Sequence, residues 1–193
     1  MSKRRLRVSK IIWPFLIAIT LYLALSFVFM LARVVSSSME PNFNKGSLIF
    51  INRVSYSASS PARGDVVAFY QDGSLNIKRI IALPGEGVSF VDGSVFISEE
   101  TSEDNDYGKL LIEDYLPSDT LTNSHEVFSV PKGHYFVLGD NRSESIDSRF
   151  SLTTYIHEDD IIGRVTYVFN NFPGDVVHRF EGIRSYSPDV NVE

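Results

Sequence analysis

The fold class follows from the stretch Leu75-Asn76-Ile77-Lys78-Arg79-Ile80-Ile81-Ala82, which leads into Leu83-Pro84-Gly85. The run is short and rich in isoleucine, and the proline and glycine that end it are turn residues, so it predicts a β-strand. Side chains alternate across a strand, which places Asn76, Lys78 and Ile80 on one face. The strand therefore carries a lysine among apolar neighbours.

Similar runs on both sides of this strand predict further strands. Asp92-Gly93 separates two of them and is a strong signal for a two-residue hairpin. The runs are 47–51, 65–70, 88–91, 94–97, 126–130, 134–138 and 161–169. The chain is therefore predicted to fold as an all-β domain with a mixed antiparallel sheet.

The N-terminal region has the pattern of a membrane anchor. Residues 11–32 contain no charged side chain, and a helix of about 33 Å would cross the hydrocarbon core. Residues 1–10 are basic, which predicts a cytoplasmic N-terminus and an extracytoplasmic domain over 33–193. A cleavable signal peptide is the alternative, but the apolar run exceeds the roughly 7–15 residues usual for one.

Two segments of the domain do not have a strand pattern. Residues 98–126 hold nine acidic residues against Lys109 and are predicted to be a solvated insertion, with a short ordered piece around 110–112. The segment from about residue 170 contains Pro173, Gly174 and Pro188 and is predicted to be a loose tail.

Composition excludes several classes of function. The chain has a net charge of -6, although residues 1–33 hold six bases and no acid, so the domain itself is acidic. Nucleic acid is a poor partner for such a domain. The chain lacks cysteine, and its four histidines have no metal-binding spacing, so we expect no metal and no cofactor.

Three segments could together form a hydrolytic site. Ser36-Ser37-Ser38-Met39-Glu40-Pro41 offers a nucleophile, and Lys78 could act as its base if burial lowered its pKa. The loop Gly139–Arg149 offers Asp140, Arg142, Asp147 and Arg149, which can pair and hold Ser145 rigidly. Spacing alone leaves three alternatives open: a juxtamembrane linker, a surface lysine and a polar turn.

Four stretches in this order resemble the type I signal peptidases, the membrane-bound Ser/Lys peptidases of bacteria. They are 36–41, Arg63-Gly64-Asp65-Val66-Val67, Ile77 through Glu86, and Gly139 through Arg149. The resemblance implies a signal-peptidase type β-domain behind one transmembrane helix. Four positions depart from the family pattern. Ser37 stands in place of the usual glycine and Asn42 in place of threonine. Ala82 stands in place of glycine and Glu86 in place of aspartate.

The resemblance also implies roles for individual residues. Ser38 would be the nucleophile and Lys78 the general base. The Ser36 hydroxyl and the Ser38 N–H would form the oxyanion hole, and Ser145 would orient the lysine. Asp147 and Arg149 would form a structural ion pair, with Asp140 and Arg142 supporting the same loop, and Met39 and Pro41 would shape the turn that presents Ser38.

The implied function is removal of signal peptides from exported preproteins, after small residues in an Ala-x-Ala-like pattern, at the outer face of the cytoplasmic membrane. Preproteins, the lipid bilayer and a nearby secretion translocon would be its partners. Two alternatives stay open: a specialised peptidase for conjugation or pilus subunits, and a catalytically silent binding domain. The presence of both Ser38 and Lys78 argues against the silent domain.

Overall fold

The structure is a computed structural model that describes residues 2–71, 73–99, 108–124, 126–150, 154–169 and 178–179. Within these ranges the chain forms one α-helix, twelve strands and a 3-10 helix at Glu158–Asp160. Their bounds are α1 Ser2–Val28, β1 Phe29–Arg33, β2 Leu48–Asn52, β3 Val66–Gln71, β4 Ser74–Ala82, β5 Glu86–Val91, β6 Ser94–Glu99, β7 Lys109–Leu110, β8 Phe128–Ser129, β9 His134–Leu138, β10 Ile156–His157, β11 Ile161–Phe169 and β12 His178–Arg179.

The strands form two antiparallel sheets, which confirms the predicted all-β domain. The larger sheet has the order β1-β2-β11-β3-β4-β9-β10, and β12 pairs with β11. The smaller sheet has the order β7-β6-β5-β8. The hairpin predicted at Asp92-Gly93 joins β5 to β6, and both turn residues have the positive φ that a type I′ turn requires.

Helix α1 ends before the apolar run does. Residues 29–32, predicted as the end of the helical run, instead begin β1, which pairs along its length with β2. The helical prediction is therefore wrong there, because the backbone of β1 bonds to β2 while Met30 and Ala32 pack against the core. Among the described residues, no helix combines the length and apolar character needed to cross a membrane.

The C-terminal part of β4, residues 78–82, is buried on both faces. Ile77 packs against the cluster around Met39 and Phe43, Ile80 packs against a second cluster, and Ile81 lies in the cluster between the two sheets. A strand covered on both faces has no polar side facing water. The alternative that Lys78 is an ordinary surface lysine is therefore wrong.

The acidic insertion is ordered over residues 108–124. Strand β7 pairs with β6, and the side chains of Leu111 and Thr122 are buried. Two side chains of the predicted solvated insertion are therefore buried, and one of them lies in the piece at 110–112. Residues 100–107 and 125 lie outside the described residues, as does the predicted tail apart from β12.

Candidate active site

The three serines lie in a turn between β1 and β2, and the residues that follow them pack into the core. Met39 and Phe43 are fully buried, and the Phe43 N–H donates to the Met39 carbonyl over 2.9 Å. The Glu40–Pro41 peptide is cis. Because the residue directly after Ser38 is buried in the core, Ser38 is held half-buried at the edge of the domain.

The polar groups of interest in this turn are the hydroxyls of Ser36 and Ser38 and the backbone N–H of Ser38. The Ser36 and Ser38 Oγ atoms are 3.2 Å apart, so they share a hydrogen bond. The Ser38 carbonyl accepts a hydrogen bond from the Asn141 N–H over 3.1 Å. Within the described part of the chain, the Ser38 N–H donates to no protein acceptor. This N–H can therefore donate to an oxygen atom of another molecule.

Lys78 is a buried amine with a neutral partner. Only 5% of the side chain is exposed, and its Nζ donates to Ser145 Oγ over 2.9 Å. Burial lowers the pKa of Lys78 from 10.5 to about 8, and this outweighs the opposing attraction of the Asp147 and Asp140 carboxylates. None of the described acids forms a salt bridge with it. A neutral amine is therefore accessible near neutral pH.

The loop after β9 passes close to the Ser38 turn and to Ser145, the partner of Lys78, at Gly139. A Cβ built on Gly139 would lie 2.1 Å from Ser145 Oγ and 2.4 Å from the Ser38 carbonyl oxygen. Both distances are far inside van der Waals contact, so only glycine fits there. Ser38 and Ser145 therefore lie next to each other, and Ser145 in turn contacts Lys78.

No hydrogen bond joins Ser38 to Lys78 directly among the described residues; the two are connected through the 139–149 loop. Ser145 is held in this loop by its own N–H, which donates to the Asn141 carbonyl over 2.9 Å. The loop thus brings together all four of the predicted site residues Ser36, Ser38, Lys78 and Ser145.

The predicted ion pair of Asp147 and Arg149 is present and buried. Arg149 Nε lies 2.9 Å and its second nitrogen 3.0 Å from the two carboxylate oxygens of Asp147. The same carboxylate accepts from the Gly139 N–H over 3.0 Å. The pair therefore fixes both ends of the loop that carries Ser145.

Asp140 and Arg142 are also buried and paired, although not with the other charged residues of their loop. Asp140 binds Arg79 through two hydrogen bonds of 2.8 and 2.6 Å. Arg142 binds the carboxylate of Glu113. The expectation of pairing within the loop was wrong for these two residues, because β4 and the acidic segment supply closer partners of opposite charge.

Sequence reasoning missed Tyr115 and Glu113 of the acidic segment. The Tyr115 ring packs 3.9 Å from the Arg79 guanidinium, and its hydroxyl accepts from Arg142 over 2.9 Å. Asn42, one of the departures from the family pattern, donates to the Tyr115 carbonyl and to Asp140, each over 2.9 Å. The only sequence signal was the interruption of an acidic run by apolar and aromatic residues at 110–116.

Comparison with known proteins identifies the family of the chain. The family model described as "Signal peptidase, peptidase S26" matches residues 6–170. Signal peptidase I T of Bacillus subtilis (strain 168) is 35% identical over 174 residues, which cover 83% of this chain and 85% of that protein. Signal peptidase IB of Staphylococcus aureus (strain COL) is 31% identical over 155 residues, covering 74% of this chain and 78% of that protein.

A crystal structure of a signal peptidase I from Enterococcus faecalis V583 is 30% identical, with a TM-score of 0.45, and covers 56% of this chain and 98% of that chain. The chain belongs to the signal peptidase family, peptidase S26. It is an enzyme of the signal peptidase I type, a serine peptidase that removes signal peptides from preproteins.

Proposed function

We propose that this enzyme cleaves preproteins with Ser38 as the nucleophile and Lys78 as the general base. The observation that carries the proposal is the buried Lys78 amine, which is 2.9 Å from Ser145 Oγ and has a pKa lowered by burial to about 8. An amine with that pKa can take a proton from a serine hydroxyl near neutral pH. Ser145 orients the amine, and the buried pair of Asp147 and Arg149 holds Ser145 in place.

Acylation begins when the neutral Lys78 amine removes the proton from Ser38 Oγ. The oxygen attacks the scissile carbonyl carbon, and the negative charge moves onto the carbonyl oxygen. For this step Ser38 must exchange its hydrogen bond with Ser36 for one with Lys78. The intermediate then collapses, the peptide C–N bond breaks, and the Lys78 ammonium returns the proton to the leaving amine of the mature protein.

The free Ser38 N–H and the Ser36 hydroxyl supply the donors for the developing oxyanion. Each preorganised donor of this kind contributes about 2.7–4 kcal/mol to the barrier reduction. In deacylation Lys78 removes a proton from a water molecule, and the resulting hydroxide attacks the ester carbonyl carbon. The signal peptide leaves with a carboxylate, and Ser38 Oγ regains its proton from Lys78.

The substrates are exported preproteins cut after small residues in an Ala-x-Ala-like pattern. The enzyme is a single-pass protein of the cytoplasmic membrane, with residues 1–10 inside, a span that begins at residue 11 and lies within α1, and the catalytic domain outside, close to the secretion translocon. The basic residues before an uncharged apolar run support this orientation. A lipid-facing position is further supported by Phe27, Phe29 and Leu31, which are exposed next to the junction of α1 and β1.

The test is preprotein cleavage by the full chain in membranes, with Ser38→Ala and Lys78→Ala made separately. Each variant should lose at least about 10³-fold in kcat, as expected when one member of a catalytic unit is removed. The wild-type rate should rise with pH through about 8, because the base is active only when neutral. Full activity of either variant would refute the assignment of the dyad.

A further inference from the structure

We infer that the side chain of Asn141 is a positioning residue that aims the Ser38 N–H at the scissile carbonyl. The inference rests on the proposed oxyanion hole and adds a residue to it. Asn141 lies in the loop after β9 and contacts the serine turn at two consecutive carbonyls. Its backbone N–H donates to the Ser38 carbonyl over 3.1 Å, and its side-chain Nδ2 donates to the Ser37 carbonyl over 3.2 Å.

The contact with Ser37 matters because of the geometry of the peptide group. The Ser37 carbonyl and the Ser38 N–H belong to the same peptide unit, which is planar and, at this position, trans. The two groups point in opposite directions within that plane. A hydrogen bond that fixes the direction of the Ser37 carbonyl therefore also fixes the direction of the Ser38 N–H.

Two donors hold this carbonyl. The Glu40 N–H donates to it over 3.0 Å from within the turn, and Asn141 donates from the facing loop. One hydrogen bond leaves the peptide plane free to tilt about the bonded direction, whereas two donors from separate segments restrain that tilt. Among the described residues this carbonyl receives no other donor, so removing the Asn141 side chain leaves the Ser37 carbonyl with the local bond from Glu40 alone.

The Ser37 side chain provides a second anchor at the same place. Its hydroxyl donates to Glu144 Oε2 over 2.9 Å, and Asn141 Nδ2 lies 3.4 Å from the same oxygen. Ser37 replaces the glycine that the family pattern has between its two functional serines. In this chain the added hydroxyl therefore joins the serine turn to the loop that carries Asn141.

Asn141 is itself held in one orientation. The Ser143 hydroxyl donates to Asn141 Oδ1 over 3.1 Å, which leaves Nδ2 directed at the Ser37 carbonyl and Glu144. The N–H groups of Glu144 and Ser145 both donate to the Asn141 carbonyl. Asn141 thus belongs to the same rigid loop as Ser145, so one loop positions both the base and the oxyanion donor.

The experiment uses the full chain in detergent micelles with a preprotein substrate and the variants Asn141→Asp and Asn141→Ala. Asn141→Asp keeps the size of the side chain but loses the donor and adds a negative charge, whereas Asn141→Ala loses the donor without adding a charge. Removing an oxyanion donor outright costs about 10²–10³-fold in kcat, so a misdirected donor should cost about 10- to 100-fold. We expect KM to stay within about threefold in both variants. The pH at which the rate rises should be unchanged in Asn141→Ala, because that variant adds no charge near Lys78.

A peptide boronic acid provides a readout that a merely structural role would not change. Its tetrahedral adduct with Ser38 places an oxygen in the oxyanion hole, so its affinity should fall in parallel with kcat/KM, while binding of the signal-peptide product is unchanged. Asn123→Asp, at an exposed asparagine outside the serine turn, is the matched control and should leave both values unchanged.

If the Asn141 variants do not fold, Glu144→Ala at an exposed position keeps the test decisive, with an expected loss of about threefold in kcat and recovery in Glu144→Gln. The inference is overturned if the folded Asn141 variants keep kcat and boronate affinity within twofold of the wild type. If those variants do not fold, the same result for Glu144→Ala overturns it. The inference is also overturned if the loss of activity in these variants is accounted for entirely by the fraction of each variant that is unfolded. Those results would leave the dyad intact, whereas full activity of Ser38→Ala would refute the proposed function itself.

Discussion

Replacing Lys78 with methionine should stabilise the protein at neutral pH while abolishing cleavage. Methionine has a similar length and no charge, and the Lys78 side chain is only 5% exposed. Burial lowers the pKa of Lys78 from 10.5 to about 8, so the folded state resists protonation of the amine. The wild type therefore carries a free-energy penalty that the variant lacks.

The size and sign of this penalty follow from the two pKa values. Between pH 8 and 10.5 the unfolded state binds more protons at this site than the folded state, so the free energy of unfolding of the wild type rises with pH across that window. Below pH 8 the full penalty applies, and at about 1.36 kcal/mol per pH unit it amounts to about 3 kcal/mol. Above pH 10.5 the penalty disappears.

The assay is urea unfolding of the full chain in detergent, followed by circular dichroism at pH 7 and pH 10.5. The stability advantage of Lys78→Met over the wild type should shrink by about 3 kcal/mol between the two values. The variant also loses the hydrogen bond to Ser145, which is worth about 1 kcal/mol. This loss is the same at both pH values, so it cancels in the difference between them. Lys132→Met, at an exposed lysine, should show no such change. An equal advantage of Lys78→Met at both pH values would refute the burial argument.

Two further substitutions test the packing around the site. Gly139→Ala should reduce the preprotein cleavage rate by at least about tenfold and the free energy of unfolding by about 1–3 kcal/mol. The reason is that the added methyl group would overlap Ser145 Oγ and the Ser38 carbonyl. Wild-type activity in this variant would contradict the close approach. Tyr115→Leu should lower the free energy of unfolding by at least about 2 kcal/mol, since it removes the ring stacked on the buried Arg79. A loss below about 0.5 kcal/mol in urea unfolding would show that the acidic segment does not support the site.

The strands of the sheet could be predicted from local pattern. Strands β9 and β11 have the predicted bounds, and the Asp92-Gly93 hairpin is where its two turn residues indicate. These features depend on neighbouring residues, so a short window of sequence carries them. The end of α1 could not be predicted in this way, because residues 29–32 are as apolar as the helix and became a strand only by pairing with β2.

Charge partners were harder to predict than strands. Asp147 and Arg149 are two residues apart and pair as expected, whereas Asp140 pairs with Arg79 and Arg142 with Glu113. Sequence distance favours pairing within one loop, but a buried charge binds the opposite charge that the fold brings nearest. The acidic segment was predicted to be solvated, and nothing in its local sequence indicated that Glu113 would bind Arg142 or that Tyr115 would lie against Arg79.

The sequence by itself determined the all-β fold, the candidate residues Ser36, Ser38, Lys78 and Ser145, and, through their order, the family. Only the tertiary structure decided that Lys78 is buried, because alternation along β4 cannot show that both of its faces are covered. Tertiary structure also decided that one loop contacts both Ser38 and Lys78. The pKa of an amine depends on the residues that surround it in space, and most of those are distant along the chain.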